Sequence, residues 1–224
     1  MTPLLSGCHR EAPGIRGHVE TMQQRMKRQE AEFNASPDVK GPGLHAALNS
    51  LGINDAWMRK VNDEGVEIIQ LRVPQAEFAK LDHRALAKLM FDSRYRFEFA
   101  DKDQAHEAAL YHGAERNERD KRKALDELRR RGQLDSYPRY RAGMAVSAFA
   151  PQLEAWCGYQ PGQAFKIIAG NWVDYAHPMV DLAAADMQGR ASASFDCVKR
   201  VVDATPDLRH RFIGNRGREG AIDY

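Results

Sequence analysis

The sequence predicts a mainly α protein: a helical chain with extended termini, one long charged helix and at most a small two-stranded β element. Three observations carry the prediction. Apolar residues recur at helical spacing in most segments between residues 18 and 203. Residues 101–131 interleave nine basic with eight acidic side chains, the pattern of a helix laced with short-range ion pairs. Only residues 66–73 join β-branched residues and alternation to a terminating proline.

The elements follow in chain order, within five segments. Residues 1–43 are read as an N-terminal arm with an amphipathic helix. Residues 1–17 are extended. Over residues 18–34, Val19, Met22, Met26 and Phe33 fall on one narrow stripe, which suits a helix that meets a partner along one edge. Ser36 to Gly43 (SPDVKGPG) is a linker.

Residues 44–100 are read as a small α+β body. Leu44, Leu48 and Leu51 mark a helix that stops at Gly52. Asn54 or Asp55 caps a second one, carrying Trp57, Met58 and Val61 and ending at Gly65. A strand over 66–73 ends at Pro74. Phe78, Leu81, Leu86, Leu89 and Met90 then form a helix face to about residue 92. Tyr95, Phe97 and Phe99 alternate with Arg94, Arg96 and Glu98, which favours a strand and gives residues 66–73 an antiparallel partner. Phe91, Tyr95 and Phe99 are also spaced by four, which suits a helix.

Residues 101–132 are the long charged helix, capped by Asp101 and ended by Gly132. Its charges permit pairs such as Glu118 with Arg122 and Asp126 with Arg130. Gly113 to Lys123 contains no large apolar residue, so this part is expected to be solvated or to bridge two bodies. About 30 residues at 1.5 Å each make a rod of about 45 Å. Residues 133–213 are a second, helical body, with helices expected over 141–157, 178–189 and from Ser194 to before Pro206. Phe165, Ile167, Ile168 and Trp172 add an apolar set. Residues 214–224 are an extended tail. No internal repeat of the kind that builds solenoids or propellers is visible.

Composition narrows the function. The chain has 224 residues, a formal net charge of +2 and a mean hydropathy of −0.61. Alanine accounts for 31 residues, whereas Leu, Ile, Val and Phe together supply only 44. No apolar run is long enough to span a bilayer as a helix. The N-terminus lacks the basic region and apolar core of a secretory signal. Cys8, Cys157 and Cys197 are odd in number and widely spaced, so no disulfide framework and a reducing intracellular compartment, cytoplasmic or organellar, are expected. His106 and His112 are six apart, the wrong spacing for a helical zinc pair, so no metal is expected. Gly214, Gly217 and Gly220 follow no strand, and no phosphate loop occurs, so no cofactor is expected.

Three functional readings remain. The first is a non-catalytic structural or adaptor subunit of a multiprotein assembly, such as a supernumerary organellar-complex or accessory virion component. Scarce strong apolar residues, extended ends, the stripe at Val19, Met22, Met26 and Phe33, and a charged rod without obvious cover all lead there. The second is a small hydrolase or transferase. In the octet NWVDYAHP (171–178), Asp174 would orient His177 as a general base, with Cys157 from a neighbouring helix. The third is a nucleic-acid-associated protein. RRRGQLDSYPRYR gathers Arg129, Arg130, Arg131, Arg139 and Arg141 with Tyr137 and Tyr140, cations and stacking rings that fit phosphate and bases.

Overall fold

A computed structural model describes residues 12–16, 20–35, 42–63, 65–93, 95–141, 143–169, 172–176, 190–205 and 208–212. Among them are seven helices and six strands: α1 (Met22–Ala35), α2 (Pro42–Ser50), β1 (Met58–Asp63), β2 (Val66–Leu71), α3 (Gln75–Phe78), α4 (His83–Asp92), β3 (Arg96–Phe99), α5 (Lys102–Arg130), α6 (Val146–Trp156), β4 (Phe165–Ala169), β5 (Trp172–Tyr175), α7 (Arg190–Asp203) and β6 (Arg209–Phe212). The fold is therefore mixed α/β with two sheets, ordered β1-β2-β3 and β4-β5-β6. This corrects the expectation of a mainly α chain with at most two strands. The strands are four to six residues long, too short to display much periodicity.

The chain divides into two units. The first, Gln29–Arg119, centres on β2. Asp63 and Val66 face each other across a hairpin, with Gly65 at φ 88° in its turn. Ile69 and Leu71 of β2 pack with Leu44 and Leu48 of α2, Ile53, Val73, Phe78, Leu81, Leu86 and Tyr95. Asp82 caps α4 by accepting from the Ala85 N–H at 3.0 Å, which satisfies one of the free donors of its first turn.

Two local expectations fail here. Residues 58–63 are a strand, not the helix read from Trp57, Met58 and Val61. Along β1 only Met58 and Val61 are half-buried, a burial period of three that imitates a helix. Pairing with β2, Met58 to Leu71 and Val61 to Ile68, decides the matter. Residues 96–99 are a strand as favoured, but β3 runs parallel to β2, not antiparallel, because α3 and α4 carry the chain back before it re-enters the sheet.

The second unit joins Met1–Arg28 to Asp120–Asp223. Its core holds Phe149 and Leu153 of α6, Phe165 of β4, Val173 and Tyr175 of β5, and Val198, Val201 and Val202 of α7, with Leu128 from α5. β4 and β5 form an antiparallel hairpin, and β6 lies parallel to β5. The strand order and directions repeat those of the first unit. The helices expected over 141–157 and from Ser194 appear as α6 and α7, and Ser194 lies inside α7, not at its cap. The helix expected over 178–189 and the tail 214–224 lie outside the described residues.

Cys157, at the end of α6, is disulfide-bonded to Cys197 of α7, with 5.6 Å between their Cα atoms. That corrects the expectation of unpaired cysteines. Two cysteines so distant in sequence carry no spacing signature, and only the packing of α6 against α7 joins them. The short helical turn Pro13–Ile15 lies on this bond: a Cβ on Gly14 would stand 2.4 Å from Cys197 Sγ and 2.5 Å from the Trp156 ring.

The charged helix is continuous, but it does have intrachain cover, against expectation. In the first unit His83 stacks on Tyr111 at 5.0 Å, Phe91 on His112 at 4.0 Å, and Arg119 bonds Asp92 at 2.9 Å. In the second unit Ala124 and Leu128 enter the core. Aromatic and ionic contacts thus do the covering that a count of large apolar residues does not register.

Candidate functional site

Of the residues singled out from sequence, the structure gathers Tyr137, Arg139 and Arg141 around one open basin in the second unit. Its position begins with the end of α5, where Gly132 adopts φ 64°. The Gly132 N–H reaches the Arg129 carbonyl at 3.0 Å, and the Gln133 N–H reaches the Leu128 carbonyl at 2.8 Å. This is a Schellman closure, which a left-handed glycine makes possible. Gln133 is buried, and its Nε2 donates to the carbonyls of Pro13 (3.0 Å) and Gly14 (3.3 Å). The Gln133 carbonyl in turn accepts from the N–H groups of Ser136 and Tyr137, each at 3.1 Å.

The arginine geometry follows from that turn. Arg139 Nη2 donates to the Leu134 carbonyl at 2.9 Å, and its guanidinium lies 5.2 Å from the Tyr137 ring centre. Tyr140 packs edge-on against Phe149 at 5.4 Å, so this ring anchors the turn to the core. The basin encloses about 500 Å³ and is lined by Asp135, Tyr137, Arg139, Arg141, Met144 and Gln152. Arg139 and Arg141 are exposed and make no carboxylate ion pair among the described residues. Two guanidinium groups beside a phenol ring suit an acidic side chain, a phosphate or a planar group.

The other predicted residues are elsewhere engaged. Arg129 pairs with Asp126 at 2.5 Å, Arg130 with Glu127, and Arg131 with Glu127 at 2.5 Å. Each of the helix-end trio is therefore paired within its own last turns, two of them sharing the Glu127 carboxylate. Met26 is 62% exposed on α1. Met22 and Phe33 belong to the same helix, with side chains outside the described set, and Val19 lies outside the described residues altogether. Asp174 is 1% exposed on the central strand β5, opposite Lys166. Cys157 has no thiol to offer while it is bonded to Cys197. His177 lies outside the described residues.

Sequence reading missed two buried charges. Glu154 of α6 accepts from the N–H groups of Gly162 (2.7 Å), Ala164 (2.8 Å) and Phe165 (3.1 Å), and so fixes the entry into β4. Arg200 of α7 is 9% exposed, with its Nη1 3.5 Å from Gln133 Oε1. Burial, reinforced by Arg131, pushes its pKa down to about 10, against the pull of Glu127 and Asp196. Asp196 itself is raised by burial, although Arg25 bonds it. The available signal was faint: one turn along the helix, Glu154 has Ala150 and Cys157 and Arg200 has Cys197 and Ala204, all small apolar residues that are buried, but Arg200 also has Asp196 and Asp203 there. Among the described residues no group of three or more side chains is placed to hold a metal ion, and no helix is long and apolar enough to cross a membrane. No protein-family model, curated protein or solved structure matches the chain.

Proposed function

We propose that the protein is a non-catalytic adaptor subunit that docks an acidic segment of a partner protein in the basin of Tyr137, Arg139 and Arg141. The observation that carries this reading is the way Arg139 is held: one hydrogen bond to the Leu134 carbonyl and the face of Tyr137 pre-organise an exposed cation. Arginine and tyrosine held rigidly at a surface are the usual anchors of protein interfaces. An open basin suits docking better than chemistry, which gains from excluding water. The pairing of Cys157 with Cys197 weakens the alternative hydrolase, which would draw on Cys157. It also favours an oxidising environment over the reducing one suggested by the cysteine count.

The test is gentle native purification of the intact chain and of an Arg139→Glu/Arg141→Glu variant from the cells that make it. The wild type should elute with protein components at fixed stoichiometry, and the variant should lose them while keeping its circular dichroism. A wild-type chain that elutes alone would overturn the reading. Nucleic acid in the eluate, released steeply by salt or by nuclease, would replace it with the nucleic-acid reading, which the ring and cation pair of Tyr137 and Arg139 also suit.

A further inference from the structure

The disulfide of the second unit lies beneath the N-terminal chain. Cys157 and Cys197 are both 0% exposed. The turn Pro13–Ile15 passes over them: Pro13 is exposed, Gly14 is buried, and Arg16, just beyond, is exposed again. A single thickness of chain thus separates the bond from solvent on this side. The glycine makes the seat possible, because a Cβ at its position would overlap both Cys197 Sγ and the Trp156 ring, neither of which has room to swing away.

Three elements build that seat. Gly14 meets Cys197 of α7 and Trp156 of α6. Ala12 and Ile15 lie over Gly158, just past α6, where a Cβ would stand 3.3 Å from Ala12 Cβ and 3.6 Å from Ile15 Cδ1. Gln133, past the end of α5 and 5% exposed, holds the carbonyls of Pro13 and Gly14 with its Nε2. The turn closes the bond from the Ile15 N–H to the Ala12 carbonyl at 3.0 Å. One turn is too little to hold its own shape in water, so its place is set by what it sits on.

The seat spans α6 and α7, and the disulfide fixes those two helices to each other at the point the turn covers. Cutting the bond lets the helices part and adds two hydrogen atoms to a fully packed site. The turn, held by few bonds, gives way first. In the other direction, a seated turn keeps a reductant from Cys197 Sγ. Coupling of this kind is reciprocal: whatever loosens the turn exposes the bond, and whatever breaks the bond loosens the turn.

We propose that the chain around Gly14 is a redox-sensitive strap, seated on the oxidised disulfide and released when a dithiol reduces it. One thiolate of the dithiol attacks a sulfur of the Cys157–Cys197 bond and expels the other cysteine as a thiolate. The second thiol of the dithiol then displaces the first cysteine. The dithiol gives up two electrons and closes its own disulfide, and its two protons end on Cys157 and Cys197. The strap works in the same way whether or not the basin of Tyr137, Arg139 and Arg141 docks a partner.

The test uses the intact chain. Reduction by dithiothreitol, followed by alkylation and mass measurement of the freed thiols, should run about tenfold faster or more in Gly14→Ala, which blocks the seat, and in Gln133→Ala, which removes two hydrogen bonds. The β5 amides of both oxidised variants should exchange hydrogen at the wild-type rate, which places the gain in the strap. In the reverse direction, reducing the wild type should speed tryptic cleavage after Arg16 about tenfold more than cleavage after Arg131 or Lys199, which lie in the body of the unit. Reduction at the wild-type rate in both variants would overturn the proposal. So would cleavage after Arg16 that rises only in step with cleavage after Arg131 and Lys199, or β5 exchange that quickens with the reduction rate, because the whole unit would then open as one.

Discussion

Glu154 shows how much one side chain can organise when it is buried among hydrogen-bond donors. Three backbone N–H groups of the segment leading into β4 converge on its carboxylate. Glu154→Ala strands these donors, two of them in buried bonds, and a stranded buried donor costs ~1–3 kcal/mol. The expected loss is therefore ~3 kcal/mol or more in urea denaturation, with Glu154→Gln intermediate because it keeps one acceptor oxygen. A loss under ~1 kcal/mol would mean that the segment holds its shape without the carboxylate. None of this was legible in the sequence, because the donors lie two turns or more ahead and are backbone groups, which every residue but proline carries. Tyr137, Arg139 and Arg141 were legible for the opposite reason: they are sequence neighbours, and one turn gathers them. The pair Cys157 and Cys197 needed the tertiary fold to bring it together.

At the scale of elements, helices were legible where an apolar face repeats, as in α4 and α6, and strands were legible where alternation shows, as in β2 and β3, but not where exposure hides it. β1 exposes four of its six residues, so it has no alternation to read. β4 and β5 carry an apolar set that fits a helix or a strand equally well until the hairpin pairs them. For α5 the charge pattern was legible, but its partners were not. Asp126 takes Arg129 rather than the expected Arg130, and Glu127 takes both Arg130 and Arg131. Burial tends to raise the Glu127 carboxyl, but the Arg131 hydrogen bond and the charges of Arg131, Arg130 and Arg200 outweigh it and hold it below the usual carboxylate range. A carboxyl lowered on folding stabilises the native state above its unfolded pKa, and that contribution is lost as pH falls through the folded pKa. Wild type should therefore lose up to ~1 kcal/mol more than Glu127→Gln between about pH 6 and about pH 3, read from urea midpoints. Asp196, raised by burial, has the opposite sign, and the difference between the two chains cancels it. Parallel pH profiles would remove Glu127 from the acid response.

For the molecule as a whole, 44 strong apolar residues in 224 pointed to a fold completed by partners. The structure distributes them differently. They concentrate in two small cores, one in each unit, and each core sits on a three-stranded sheet of the same order and direction. Small cores gain most from a covalent staple, and the second unit has one in Cys157–Cys197, which ties α6 to α7 across the β4–β5 hairpin. A bridge over a loop of that size contributes ~2–4 kcal/mol, chiefly by restricting the unfolded chain. If the cores are energetically separate, cutting the staple should loosen only its own unit. In a Cys157→Ser/Cys197→Ser chain, amide hydrogen exchange should quicken through α6, β5 and α7, by a factor of about thirty or more for a ~2 kcal/mol loss. The protected amides of β2 and α4 should exchange at the wild-type rate. Equal acceleration in β2 would show that α5, which contributes residues to both units, ties their unfolding together. Unchanged exchange in α7 would show that the second core stands without its disulfide.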